Sequence, residues 1–146
     1  MIEHRAIEKA LKLLAVEKAR IENGAIDVDT VRMLVELIFV VGDELHHGKE
    51  ETIMFPALRG KKRSYEFDDV TSTLMKEHAS IRHHLRTIRN AMEWYSKGDK
   101  EAAETITRGF GEICDLYSRH SWNSAQSPLG RTVKSWRKGC STMSSA

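Results

Sequence analysis

The stretch that decides the fold is residues 74–95, Leu-Met-Lys-Glu-His-Ala-Ser-Ile-Arg-His-His-Leu-Arg-Thr-Ile-Arg-Asn-Ala-Met-Glu-Trp-Tyr. Leu74, His78, Ile81, Leu85, Ile88, Met92 and Tyr95 recur at alternating steps of four and three. That spacing is the seam of a helix packed in a bundle. One seam position is a histidine, His78.

Working outward, Gly98-Asp99 ends this helix and caps the next within two residues, which makes the two helices antiparallel neighbours. The following helix repeats Ala102 or Ala103, Ile106, Phe110, Ile113, Tyr117 and His120 at the same steps, and again a histidine closes the seam. Upstream, His4, Ile7, Leu11 and Leu14 lie on one stripe of a helix over about Ile2 to Glu22, stopped by Asn23-Gly24. Asp27 or Asp29 caps a second helix over about Val31 to Leu58, with Gly42 a weak point in it and Pro56 expected to loosen or end it. The basic run Arg59-Gly60-Lys61-Lys62-Arg63-Ser64 reads as a solvated connector. No segment alternates apolar and polar residues as a strand would. The fold class is all-α, an up-down-up-down four-helix bundle over residues 1–120.

After His120 the composition changes. Residues 121–146 hold four Lys or Arg, no Asp or Glu and seven serines, without periodicity. They read as a disordered C-terminal tail outside the folded core. The whole chain, 146 residues with a formal net charge of +2, is one domain's length and gives no reason to expect nucleic acid as a partner. Its longest apolar run, Leu34 to Val41, is interrupted by Glu36 and too short to span a bilayer, and Met1 opens straight into charged residues. A cytoplasmic protein with no membrane partner is expected. Cys114 and Cys140 match no CxxC pattern and read as reduced.

The proposed topology brings together the start of the first helix, the end of the second, the early part of the third and the end of the fourth. His4, His46, His78 and His120 fall at those places. A lone histidine in an apolar stripe is ordinarily a hydrogen-bonded core residue. Four at one level would leave several ring nitrogens unpaired unless a metal took their lone pairs, at about 1–3 kcal/mol for each orphan. On the second helix His46 and Glu50 stand four residues apart, on one face at about 3.6 residues per turn. His47 and Glu51 repeat that spacing one residue later, so spacing leaves the choice of pair open. Imidazole with carboxylate suits iron, manganese or zinc, and a carboxylate can bridge two ions. Glu77, Asp43, Glu44 and Glu3 are candidates to hold the outer ring nitrogens, though most such acids are solvated. His47, His83 and His84 are expected on the surface.

Together, Glu3-His4-Arg5, the run His46-His47-Gly48-Lys49-Glu50-Glu51 leading to Met54-Phe55-Pro56, and Glu77-His78 resemble the hemerythrin-like, HHE cation-binding family from residue 1 to about 120. The resemblance implies a four-helix bundle around a di-iron site whose members bind or sense oxygen or nitric oxide, or support iron handling and repair of iron centres. It picks His46 and Glu50 as the ligand pair, because Glu50 stands five residues before Phe55. His4, His78 and His120 match the remaining histidine positions. Two departures stand out: Arg82 occupies the place of a second third-helix histidine, and Ser124 the place of a carboxylate four residues after His120. The expected protein is a binding or sensing module for a diatomic ligand, oxygen or nitric oxide, or for peroxide. The alternatives are an enzyme of iron-centre repair or peroxide reduction, and a metal-free helical interaction module.

Overall fold

The computed structural model describes residues 2–60 and 65–126, with side chains described for residues 5–60, 65 and 67–120. Of the tail expected to be disordered, residues 121–126 instead continue the last helix, whose hydrogen bonding carries on past His120, while residues 127–146 with Cys140, and Lys61 to Ser64 of the connector, lie outside the described residues. Helix α1 (Ile2–Glu22) stops where Gly24 takes φ +82°, a left-handed conformation that suits glycine. Asp27 caps α2 (Val28–Leu37) by accepting from the backbone N–H groups of Asp29 and Thr30. The rod then continues through π-helical stretches at Ile38–His47 (π1) and Glu50–Met54 (π2) into α3 (Phe55–Arg59). Helix α4 (Tyr65–Ser96) begins nine residues before the seam read from sequence, and α5 is Ala102–Gln126. Gly98, at φ +105°, forms the turn between them.

Among the described residues there is no strand. The rod of residues 28–59 counts as one helix, so the architecture is the expected four-helix bundle. Helix α1 packs on α2, π1 and α5, while α4 packs on α5 and on the rod.

Pro56 does not end the rod. The preceding turn is π-helical, with the Phe55 N–H donating to the Glu50 carbonyl, and Pro56 falls in the first turn of α3. A missing N–H is tolerated there. Gly42 is not a weak point either: the Tyr117 hydroxyl lies directly against it, in space that a Cβ would fill.

The apolar faces meet in two clusters. The larger includes Leu14, Leu34, Ile38, Ile81, Leu85, Ile88, Ile106, Phe110 and Ile113, and ends at Tyr117. The smaller joins Phe55, Phe67 and Leu74. Each fully buried Leu, Ile or Phe contributes about 1.5–3 kcal/mol, so these contacts hold the bundle together. Between the clusters lie the buried polar residues Asp43, His46, His47, Glu50, Thr71, His78 and His120.

Two glycines of α5 test how tightly the helices mesh. A Cβ on Gly109 would stand 2.6 Å from Ile88 Cγ1, whereas one on Gly111 would meet only Lys18 Cε at 3.7 Å. Gly111→Ala should gain up to about 1 kcal/mol of stability from helix propensity. Gly109→Ala should lose on the order of 1 kcal/mol net, because overpacking outweighs that gain. Urea denaturation of the two variants measures the difference.

Candidate metal centre

The site is assembled from the rod, α4 and α5. Its local cause is the π-helical turn. In an α-helix successive residues point about 100° apart, which would set His46 and His47 well away from one another in direction. In π1 the bonds reach five residues back, as in Gly48 N–H to the Asp43 carbonyl. The wider turn slackens the phase, and both histidines are buried, His47 completely. The expected surface position for His47 is therefore wrong. His83 is exposed as expected, but His84 is half-buried rather than on the surface.

Each of three imidazoles is held at Nδ1 by a different carboxylate. His47 Nδ1 lies 3.3 Å from Asp43 Oδ1, His78 Nδ1 lies 2.7 Å from Glu51 Oε1, and His120 Nδ1 lies 3.1 Å from Glu77 Oε2. A carboxylate accepts, so Nδ1 carries a proton; Nε2 of His47 and His120 is left with a bare lone pair, while Nε2 of His78 faces a second carboxylate, Glu50. The Nε2 atoms of His47, His78 and His120 are buried with no hydrogen bond among the described residues, and one ring nitrogen of each lies within 4.8 Å of those of the other two. His46, Glu50 and His120 form a second such group. Glu50 spans the centre, with Oε1 3.6 Å from His46 Nε2 and Oε2 3.2 Å from His78 Nε2 and 3.7 Å from His120 Nε2.

The rings are tightly stacked. The His47 and His78 centroids are 3.9 Å apart and nearly parallel. Tyr117 stacks on His47 from the main core and Phe55 on His78 from the smaller cluster, closing the site with aromatic faces on two sides. Burial, reinforced by the neighbouring histidines and Arg82, pushes the His47 imidazole far below its ordinary pKa. Burial also lowers His120, and Glu50 and Glu77 only partly oppose it. Both rings are therefore neutral donors. Burial acts to raise the Glu50 pKa, but the close contact of His78 and the field of His46 outweigh it and hold the carboxyl below its usual range. Burial and the fields of Asp43 and Glu50 push the Tyr117 hydroxyl up, so it stays protonated.

Imidazole nitrogens gathered around an anionic carboxylate make a donor set for a borderline-to-hard divalent cation. The orphaned Nε2 atoms are what such an ion would satisfy, so the residues fit a metal. A model of the hemerythrin HHE cation binding domain matches residues 1–120. The chain belongs to this family. No curated protein and no solved structure matches it. The family match ends at residue 120, where the composition of the chain changes.

Of the sequence-derived ligands of this HHE domain, His46, Glu50, His78 and His120 are brought together. His4 lies in the first turn of α1, but its side chain, like those of Glu3 and Ser124, is outside the described residues. The pairs His46–Glu50 and His47–Glu51 are not alternatives: Glu50 faces the converging Nε2 atoms, while Glu51 holds His78 from behind. Asp43 and Glu77 hold outer nitrogens as considered, and Glu44 is exposed. The signal that could have found His47 is Asp43 four residues before it, the same one-turn spacing that pairs His46 with Glu50.

Neutral buried histidines tie the stability of the metal-free protein to pH. An unfolded histidine takes its proton near pH 6.5, while His47 and His120 in the fold stay neutral to lower pH. The unfolded state then binds more protons, so stability falls as pH drops below that value and is flat above it. At pH 5.5 the loss should be about 1 kcal/mol per histidine. Glu50, held low in the fold, adds its own loss only nearer the unfolded carboxyl range. Melting in the presence of chelator from pH 5.5 to 8 measures this; a melting temperature that rises on acidification would contradict it.

Proposed function

We propose that this HHE domain is a non-haem iron protein with a dinuclear centre that binds or senses a small ligand, oxygen, nitric oxide or peroxide. The observation that carries the reading is the pair of three-residue donor groups, His47/His78/His120 and His46/Glu50/His120, sharing one histidine within a sealed end of the bundle. His46, His47, His78, His120 and Glu50 would hold the metal, with manganese or zinc able to occupy the same donors. When bound, iron supplies a position at which a diatomic ligand or peroxide coordinates and exchanges electrons. The chain's own part is to keep His47 and His120 neutral, orient the imidazoles, and exclude water through Tyr117 and Phe55.

A binding or sensing role is favoured over iron-centre repair or peroxide reduction by the surroundings of the one described thiol. Cys114 packs against the main core with Sγ 3.9 Å from the Leu11 carbonyl oxygen, and burial pushes its pKa up. It is a packing group rather than a redox partner of the centre.

Anaerobic loading with ferrous iron should give about two irons per chain. Exposure to air or nitric oxide should then produce visible absorption that the metal-free protein lacks. Chains that retain no iron after desalting would overturn the reading. Iron should raise the melting temperature, by the equivalent of about 2.7 kcal/mol at a hundredfold excess over its dissociation constant, and chelator should reverse the gain.

Substitution separates ligands from bystanders. His47→Ala and His78→Ala should each sharply reduce iron content, and His83→Ala should leave it unchanged. Elemental analysis showing equal retention in all three would dismiss this ligand set.

A further inference from the structure

The imidazoles His47 and His78 come from different helices and lean on different carboxylates, yet one side chain ties both carboxylates together. Arg82, one turn after His78 on α4, places Nε 2.6 Å from Asp43 Oδ1 and one terminal nitrogen 2.9 Å from Glu51 Oε1. These are the same oxygens that face His47 Nδ1 and His78 Nδ1. A single guanidinium therefore closes two chains of contact, Arg82–Asp43–His47 and Arg82–Glu51–His78. Burial acts against its charge, but Glu51 and Asp43 outweigh that and raise its pKa, so it is a permanent cation. Its side chain is 32% exposed, against 8% for Asp43 and 20% for Glu51, so it caps the two acids from the solvent side.

We propose that Arg82 is a positioning residue that fixes the tautomer and direction of His47 and His78 together, and thereby sets the affinity and reduction potential of the centre. The proposal rests on the metal-binding reading for its second half; its first half concerns the metal-free chain alone. Arginine suits the role because its planar fork reaches two carboxylates at fixed angles, which an ammonium cannot do. Each carboxylate divides its pull between the cation and an imidazole N–H. Without the cation the two carboxylate charges stand uncompensated beside the centre, which favours the higher oxidation state of a bound metal. Removing the fork also frees both carboxylates to turn. His120 leans on Glu77 and lies outside this arrangement, which makes it an internal control.

The test compares wild type, Arg82→Gln and Arg82→Lys. Imidazole nitrogen NMR of the metal-free proteins should show His47, His78 and His120 of wild type protonated at Nδ1. In Arg82→Gln the signals of His47 and His78 should shift toward mixed tautomers while that of His120 stays in place. Ferrous iron affinity should fall about 10–100-fold in Arg82→Gln. The midpoint potential should move lower in Arg82→Gln and recover in Arg82→Lys, which restores charge but not the fork; affinity should recover only in part. A group that merely stabilised the fold would change melting without separating potential from affinity. Wild-type His47 or His78 protonated at Nε2, or unchanged tautomers and affinity in Arg82→Gln, would overturn the proposal. A wild type that binds no metal would overturn the function proposed above, and the tautomer comparison would still decide the role of Arg82.

Discussion

The constraint on which this structure depends is the cost of shutting imidazoles away from water. His47, His78 and His120 each have one nitrogen held by a carboxylate and one that meets no hydrogen-bond partner among the described residues. An unsatisfied buried polar atom costs about 1–3 kcal/mol, a sizeable fraction of what a domain of this size has to spare. The two apolar clusters supply the stability that holds such a set in place, and a cation removes the penalty. The larger cluster, from Leu14 to Ile113, is thus what allows the metal-binding end of the bundle to exist before metal arrives.

The rod carries the local accommodation. The π-helical turns bring His47 closer in direction to His46, and Asp43 stands behind His47 and Glu51 behind His78. The same irregularity lets Pro56 fall at the start of a fresh α-helical turn, and the missing Cβ of Gly42 leaves room for Tyr117. Departures from ideal helix geometry are concentrated in the element that contributes most groups to the site.

Much of this was legible in the sequence. The four-three recurrence from Leu74 to Tyr95 fixed both the bundle and the inward placement of His78, because an apolar seam has one orientation that buries it. His120 followed from the same logic, and the one-turn spacing of His46 and Glu50 placed both on the site. His47 was not legible, since reading helical faces assumes a constant turn and the π-helical stretch violates that assumption where two histidines are adjacent. The pairing of Asp43 and Glu51 through Arg82 was hidden for a different reason. It joins Arg82 to residues 31 and 39 positions earlier, and no periodicity within one helix reports a contact made across two. Pro56 misled in the opposite direction, because its usual effect depends on an interior hydrogen bond that this turn does not require.

His120 belongs to both donor groups, and an imidazole Nε2 has a single lone pair to give. Two ions drawing on these groups therefore cannot be alike. Were two ions to draw on these groups, the one that took His120 together with His47 and His78 would meet three imidazoles, while among the described residues its neighbour would be left with His46 and Glu50. Among the described residues the donors are thus divided unevenly, and the asymmetry comes from a single histidine placed near the end of the last helix.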